Sequence, residues 1–364
     1  MANFRAACHA KSGICQSLLK KRGVVGVGVG YADSKNPKKG AAVIVYTRKA
    51  ATASNLSLPQ NVTVRMQGKP VSVPVRFIAS GPIFANGTVS PTQFRGRIRP
   101  VPGGYSVGYP SIPGSNGVSG TAGIIGINFP GRNQLYICSN NHVLNRNNST
   151  GFTETIQPGA ADGGRSGPDT IGRLDRFVPL RKDAVNFLDA ATSIPLSNSL
   201  LDPRYALVGA LPGHLLSYGV GERFKKVGRT TGFVRGTVES INVDVNVNYG
   251  NYGGLGVIRF TNQTVVVSNT PISLPGDSGS IWLRDQDNFV AAVNFAGPAG
   301  GLRSICFPFN TFAQVFGIRV ARPGRTVGAV KMPKTKRPYA HTRPLTKQQL
   351  AKIKVVTANR MKRR

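Results

Sequence analysis

The stretch Leu274-Pro-Gly-Asp-Ser-Gly-Ser-Ile-Trp282 decides how the rest of this chain is interpreted. At its centre Ser278 follows Gly276 and Asp277 and precedes Gly279, just ahead of an apolar segment that is typical of a strand. Glycines beside a serine let the backbone turn tightly, so that neighbouring N–H groups point toward the space beside the hydroxyl. That arrangement stabilises the oxyanion of acyl transfer, although a lone Gly-Asp-Ser-Gly also occurs in ordinary loops.

A serine nucleophile needs a base, and His142 is the best placed of the four histidines. It comes shortly after the apolar segment 135–138, where a strand would end and a side chain can project into a cleft. The pKa of histidine is ordinarily close to neutrality, so its imidazole can accept a hydroxyl proton without being perturbed. Taken without the serine motif, His142 is better explained as a surface or hydrogen-bonded loop histidine.

The third partner of such a site is a carboxylate that orients the imidazole, and two candidates lie close together. Asp189 opens the apolar segment 190–195, where a buried acid is costly unless it is paired. Asp183 lies instead in the charged cluster 181–183, which is typical of solvated surface. The sequence therefore favours Asp189 as the orienting carboxylate.

The composition indicates a mainly β protein. The 364 residues include 44 Gly and 25 Pro but few charged residues, and short apolar segments recur from residue 120 to residue 307, which favours a sandwich or barrel. No run of about 18 apolar residues and no secretory signal is visible, so we expect a cytoplasmic protein without a transmembrane segment. The four cysteines are expected to be free thiols, and no cofactor or metal is indicated.

The chain divides into four segments by composition. Residues 1–90 predict a small α+β domain, with an amphipathic helix over 3–22 followed by strands. Residues 91–116 are rich in Pro, Gly and Arg and predict a linker, and residues 117–320 predict the main β domain. Residues 321–364 predict a basic tail, disordered apart from a helix over 346–362.

The glycine-rich run Val24-Val-Gly-Val-Gly-Val-Gly30 invites comparison with a phosphate-binding loop. It has no Gly-Lys-Ser/Thr ending and no helix signal behind it. Strict Val/Gly alternation predicts instead a strand that packs closely against a neighbour.

Four stretches in the same order resemble the chymotrypsin-fold (trypsin-like) serine peptidases. They are Asn-His-Val-Leu around His142, Asp-Ala-Ala from Asp189, Gly-Asp-Ser-Gly-Ser around Ser278, and residues 227–238, which are similar to the Gly-x-Thr-Thr-Gly hairpin of streptogrisin-like members. The resemblance covers about residues 110–320 and implies a double β-barrel with its active site between the barrels. The N-terminal Val/Gly unit ahead of such a domain is similar to the narrow-leaf type proteins.

The resemblance also implies a role for each site residue. Ser278 would be the nucleophile, His142 the general base and acid, and Asp189 the orienting group. The backbone N–H groups of Gly276 and Ser278 would form the oxyanion hole, and Asp277 would hold the loop. Two features of secreted digestive members are missing, namely the cysteine after the histidine and a visible activation segment.

The substrate pocket is also placed by the resemblance. Ile272, six residues before the serine, would form its floor, and its wall would comprise Asn294, Phe295 and Ala296. An apolar floor disfavours Lys or Arg and predicts a small or medium apolar side chain in the substrate.

The net charge of +33 is concentrated at the two ends of the chain. Residues 1–110 hold 16 Lys and Arg against one acidic residue, and residues 318–364 hold 15 against none. Residues 111–317 hold 16 basic and 13 acidic residues and are nearly neutral. Two such arms favour non-specific binding of nucleic acid or another polyanion through phosphates or similar groups, with solvated tails as the alternative.

Two functions follow. The first is a serine endopeptidase that hydrolyses protein or peptide substrates and is localised by its basic arms on a polyanion. The second is a non-enzymatic nucleic-acid-binding or structural protein that keeps the peptidase scaffold.

Overall fold

The computed structural model describes residues 1–50, 59–85, 93–111, 117–333, 335 and 337–360. Over these residues the chain is mainly β, and it forms a chymotrypsin-like double β-barrel extended by an N-terminal unit.

The N-terminal unit begins with the predicted helix. Helix α1 (Phe4–Lys20) is capped by Asn3, whose side chain accepts the N–H of Ala6 at 2.9 Å. Its buried face includes Ala7, Ala10 and Leu18, which pack against the strands that follow. These strands are β1 (Val24–Tyr31), β2 (Ala41–Thr47), β3 (Asn61–Met66), β4 (Lys69–Ala79) and β5 (Ile83–Phe84).

The first barrel is built on the sheet order β11-β12-β13-β10-β9, and β6 pairs with β14 in parallel. A short helix, α2 (Asn141–Leu144), follows β10. The strands are β6 (Val101–Gly103), β7 (Ser106–Val107), β8 (Gly120–Thr121), β9 (Ile124–Asn128), β10 (Leu135–Ser139), β11 (Glu154–Ile156), β12 (Thr170–Phe177), β13 (Ala191–Pro195) and β14 (Leu201–Tyr205).

The second barrel is a closed ring of six strands. Its order is β16-β19-β20-β21-β18-β17, and β17 pairs again with β16. Helix α3 (Phe309–Phe316) follows, and Gly317 ends it at a φ of 63°. The strands are β15 (Gly213–Leu215), β16 (Arg223–Gly228), β17 (Gly232–Asn248), β18 (Val257–Val267), β19 (Ile281–Arg284), β20 (Val290–Pro298) and β21 (Arg303–Pro308).

The N-terminal unit continues the sheet of the second barrel, because β1 pairs with β17 on one side and β2 on the other. The predicted close packing of the Val/Gly strand is confirmed here. A Cβ at Gly28 would lie 2.6 Å from a methyl carbon of Val243, and one at Gly30 would lie 2.5 Å from the carbonyl oxygen of Glu239. Only glycine fits at these two positions, so the alternation lets β1 lie against β17.

The prediction of a disordered tail is wrong for the residues that the structure describes. Strand β22 (Ile318–Arg322) joins β9 of the first barrel and also pairs with β23 (Thr326–Val327). Strand β24 (Ala329–Lys331) pairs with β15. Beyond them, helix α4 (Lys347–Ala351) is shorter than the predicted 346–362, and β25 (Val356–Thr357) pairs with β12. The tail is ordered because these segments add to strand edges already present in the barrels.

The predicted linker also contributes to the fold. Its residues 101–107 form β6 and β7, and both Val101 and Val107 are fully buried. The division into folding units at 1–90, 91–116, 117–320 and 321–364 stays a prediction.

Among the described helices, none has the length and apolar character needed to span a membrane.

Candidate active site

Strand pairing brings His142 and Asp189 to the same end of the first barrel. Strands β10 and β13 are antiparallel, and Ser139 lies opposite Ala191. His142 comes three residues after Ser139, in helix α2, while Asp189 comes two residues before Ala191. Because one strand leaves this end of the sheet where the other enters, the two side chains meet.

Asp189 is fully buried and its carboxylate is saturated with donors. His142 Nδ1 lies 2.5 Å from Oδ2, and the Tyr249 hydroxyl donates to the same oxygen at 2.7 Å. The other oxygen, Oδ1, accepts the backbone N–H of Asn141 at 2.7 Å and that of His142 at 3.3 Å. These donors compensate the cost of burying the charge.

The carboxylate also sets the tautomer of His142. Because Asp189 accepts a hydrogen bond at Nδ1, the neutral ring carries its proton there and presents a lone pair at Nε2. Nε2 is buried and has no hydrogen-bond partner among the described residues. This nitrogen is therefore available to accept a proton.

Two tyrosines enclose the imidazole edge-on. The ring centroids of Tyr249 and Tyr252 lie 5.8 and 6.3 Å from that of His142. Burial, reinforced by the charge of Asp189, raises the pKa of Tyr249 well above its ordinary range. Tyr249 thus stays neutral and keeps its proton for the hydrogen bond to Asp189. Sequence reasoning did not find Tyr249, because it lies 60 residues from its partner.

The serine loop is held by Asp277, as the resemblance implies. This side chain is fully buried, and Oδ1 accepts the N–H groups of Thr230 and Thr231 at 3.0 Å each. Oδ2 accepts the N–H of Leu274 at 2.9 Å and lies 3.7 Å from the ammonium of Lys226. Three of these contacts tie the loop to the hairpin between β16 and β17, and the fourth closes the loop on itself.

Lys226 is itself fully buried, which is rare for lysine. Burial lowers its pKa, and the carboxylate of Asp277 opposes this shift. The ammonium also donates to Thr231 Oγ1 at 3.1 Å and lies 5.5 Å from the centre of the Trp282 ring. Sequence reasoning missed this residue, since a lysine beside Lys225 gives no sign of burial.

The backbone around Ser278 leaves two donors unused. Neither the N–H of Gly276 nor that of Ser278 donates to any residue in the described ranges. The carbonyl of Pro275 accepts a hydrogen bond from the Thr230 hydroxyl at 2.5 Å. Because C=O and N–H point opposite ways across a trans peptide, the N–H of Gly276 is directed away from Thr230.

Gly276 is required where it stands. Its φ is +95°, and a Cβ would lie 2.6 Å from both Arg229 Nη1 and Thr230 Oγ1. Arg229 is in turn fixed by the buried carboxylate of Asp162, which accepts two of its N–H groups and the hydroxyl of Ser106. This support for the loop was not foreseen from the sequence.

Ser278 is close to His142 in the fold but is not hydrogen-bonded to it. A Cβ at Gly120 would lie 2.4 Å from a methyl carbon of Val143, the neighbour of His142, and 2.9 Å from the carbonyl oxygen of Ser278. The two loops therefore flank the same glycine. The Ser278 hydroxyl donates instead to the carbonyl of Phe295 at 3.3 Å.

The four predicted pocket residues are all fully buried. Ile272 belongs to an apolar core with Val266 and Trp282. Asn294 accepts hydrogen bonds from the hydroxyls of Ser273 and Ser304 and donates to the carbonyl of Asp277.

The ring of Phe295 lies with its centroid 4.8 Å from that of Phe260, inside another core cluster with Ala296. These contacts are structural, and the place of Ile272, Asn294, Phe295 and Ala296 in a substrate pocket stays a prediction.

The chain is similar in structure to several bacterial chymotrypsin-fold serine proteases. A glutamic acid-specific serine protease is 21% identical, with 60% of this chain and 100% of that chain covered and a TM-score of 0.41. Thermobifida fusca protease A is 18% identical, with 61% and 98% covered and a TM-score of 0.42. Nocardiopsis protease is 18% identical, with 60% and 98% covered and a TM-score of 0.39. At these identities the similarity concerns the fold and says nothing about substrate. No family model matches the chain, and no curated protein matches it either.

Proposed function

We propose that this protein is a serine endopeptidase that uses Ser278, His142 and Asp189. The observation that carries the proposal is the buried Asp189–His142 pair, which leaves Nε2 without a partner beside a serine loop with two unused N–H groups. Most buried polar atoms in proteins are hydrogen-bonded, so an unpaired ring nitrogen at this place needs an explanation. The unpaired lone pair of Nε2 and the unused N–H donors are the two parts that acyl transfer needs.

In the proposed reaction, Ser278 Oγ attacks the carbonyl carbon of the scissile peptide bond while His142 Nε2 takes its proton. The oxyanion that forms accepts hydrogen bonds from the N–H groups of Gly276 and Ser278. His142 then protonates the leaving amine, and water repeats the sequence to release the acid. Asp189 stabilises the imidazolium and stays ionised throughout.

One rearrangement is needed before attack. The Ser278 hydroxyl has to leave the carbonyl of Phe295 and turn toward His142 Nε2. Rotation about the Cα–Cβ bond of Ser278 redirects the hydroxyl, and exchanging one hydrogen bond for another costs on the order of 1 kcal/mol. Catalytic hydrogen bonds commonly tighten only when substrate is bound.

A protease assay with matched variants tests the proposal. Mixed peptides are incubated with the protein and the cleavage sites are identified by mass spectrometry, which also defines the side-chain preference. We expect cleavage by the parent and by Ser199→Ala, which removes an exposed hydroxyl elsewhere. Cleavage should fall by about 10⁴-fold or more in Ser278→Ala. Equal cleavage by Ser278→Ala and the parent would refute the assignment.

We further propose that the basic arms, residues 1–110 and 318–364, bind a polyanion. The support is their charge, because these segments hold 31 Lys and Arg and a single acid. The same arms would also serve a non-enzymatic protein on a peptidase scaffold. That second function is favoured by one observation. The Ser278 hydroxyl donates its hydrogen bond to the carbonyl of Phe295 and not to His142. Polyanion binding by the parent together with no cleavage of any peptide would select it.

A further inference from the structure

The two basic arms meet on one surface, although they lie at opposite ends of the sequence. The first turns of α1 pack against the turn Pro338–Ala340 of the tail. Cys8 Sγ lies 3.9 Å from the carbonyl oxygen of Tyr339. The guanidinium carbons of Arg5 and Arg343 lie 5.7 and 4.4 Å from the centre of the Tyr339 ring. Tyr339 thus links a cation from each arm.

Two cavities adjoin at this point, since Arg5 and Tyr339 line both. The first, called the apolar cavity, has a volume of about 610 Å³ and is lined mainly by apolar groups that include Ala2, Phe4, Tyr31, Pro338 and Ala340. The second, called the cationic cavity, has a volume of about 390 Å³ and includes His9, Ser12, Arg65, Gln67 and Arg343.

The cations around these cavities are not neutralised. Five of them are exposed: Arg5, Lys38, Arg65, Arg337 and Arg343. None of the five forms an ion pair with a carboxylate of the described chain, and no Asp or Glu lines either cavity. The acid of the N-terminal arm, Asp33, is paired with Lys39 at 3.0 Å, so cations dominate the field at this surface.

We propose that this surface binds single-stranded nucleic acid, with a base in the apolar cavity and its phosphate in the cationic cavity. A nucleotide has an aromatic face joined to an anion, and the two cavities offer these two environments side by side. A duplex keeps its bases stacked inside and leaves the apolar cavity unused. An anionic membrane would need a broad apolar or cationic face, whereas here the apolar lining is enclosed in a cavity. The proposal deepens the polyanion part of the proposed function and does not depend on Ser278.

The test measures binding of a fluorescein-labelled oligothymidylate to the full chain by fluorescence anisotropy at several salt concentrations. The charge-reversal variant Arg5→Glu/Arg343→Glu removes one cation from each arm. Arg5 lies in the first turn of α1, where an acidic residue favours the helix, so the variant should fold. A matched control, Lys182→Glu/Arg322→Glu, changes the charge equally at two exposed positions outside both cavities.

We expect the Arg5/Arg343 variant to bind oligothymidylate at least about tenfold more weakly than the parent does. The slope of its logarithmic binding constant against the logarithm of salt concentration should become shallower by about 1.4. The control variant should change neither quantity markedly. A third variant, Tyr31→Leu, keeps apolar bulk but removes an aromatic wall, and it should weaken oligothymidylate binding by about tenfold without changing the salt slope.

Three results would overturn the proposal. One is equal weakening by the control variant. Another is competition by inorganic polyphosphate as effective, per phosphate, as that by oligothymidylate, since this would remove any role for a base. A third is binding to phosphatidylserine vesicles without binding to oligothymidylate. Repeating the titration with Ser278→Ala keeps the outcomes separate, because loss of cleavage with unchanged binding bears only on the peptidase.

Discussion

The buried pair of Lys226 and Asp277 supports a prediction that links stability to activity. Replacing Lys226 with Met removes the ammonium that lies 3.7 Å from the carboxylate, while three backbone N–H groups continue to hold Asp277. At an effective dielectric constant of about 20, the lost attraction is about 4 kcal/mol, and it is partly offset because no ammonium has to be desolvated. We expect Lys226→Met to lower the free energy of unfolding by about 3 kcal/mol.

Removing the charge of Asp277 instead of that of Lys226 should lower the free energy of unfolding further. Asp277→Asn leaves the Lys226 ammonium buried without a counter-charge and turns one acceptor of the loop into a donor. Breaking a buried pair in this way costs about 3–5 kcal/mol, and we place this variant at the upper end. The double variant should cost clearly less than the sum of the two, with a coupling of about 2 kcal/mol.

Two assays follow the perturbation. Urea unfolding gives the free energies, and the rate of labelling of Ser278 by a fluorophosphonate reports on the loop that carries the N–H groups of Gly276 and Ser278. Lys226→Met and Asp277→Asn both disturb that loop. Each should slow labelling by about 10²-fold, as expected for loss of an oxyanion donor. Unfolding free energies of Lys226→Met and parent within about 1 kcal/mol, or strictly additive effects in the double variant, would refute the reasoning.

Three further predictions concern single residues. Tyr249→Phe removes a donor to Asp189 and should slow fluorophosphonate labelling about tenfold while leaving the fold intact, as circular dichroism would check. Gly276→Ala places a Cβ 2.6 Å from Arg229 Nη1 at a φ of +95°, so labelling should fall by about 10²-fold or more; unchanged labelling would contradict the assigned loop geometry. Burial, with Arg319 nearby, lowers the pKa of His214 to about 4, below an unfolded value of about 6.5. The neutral form is thus favoured by folding, and its stabilisation is complete above pH ~6.5 and lost as the pH falls toward ~4, an effect of about 3 kcal/mol. Urea unfolding at about pH 6.5 and about pH 4 gives the stability lost between the two values. His214→Leu should lose about 3 kcal/mol less than the parent over this interval.

Sequence analysis is most informative where a residue's position follows from local pattern. His142 and Asp189 each lie at a strand end that apolar periodicity marks, and β10 and β13 then bring them together. The glycines of β1 reveal close packing because strict alternation has few other causes.

Strand β12 shows where period-two alternation fails to reveal a strand. Its buried apolar side chains, Ile171, Leu174 and Phe177, recur every three residues rather than every two. The register with β13 shifts between Leu174 and Arg176, and this bulge puts one extra residue on the outside. A period-two search passes over such a strand.

Sequence analysis also misses residues that support the site through long-range contacts. Tyr249, Lys226 and Asp162 support the site from distant parts of the chain, and nothing in their neighbouring residues indicates burial. The tail was expected to be disordered because its average apolar content is low. Single buried residues such as Ala340 and Ala358 nevertheless pack into the core clusters of the barrels.

The central claim is that Ser278 is an activated nucleophile, and fluorophosphonate labelling tests it most directly. The parent, Ser278→Ala and His142→Ala are treated with the probe at neutral pH, and the modified peptide is identified by mass spectrometry. We expect a single adduct on Ser278 in the parent and none in either variant. An adduct that persists in Ser278→Ala, or a folded parent that never reacts, would contradict it.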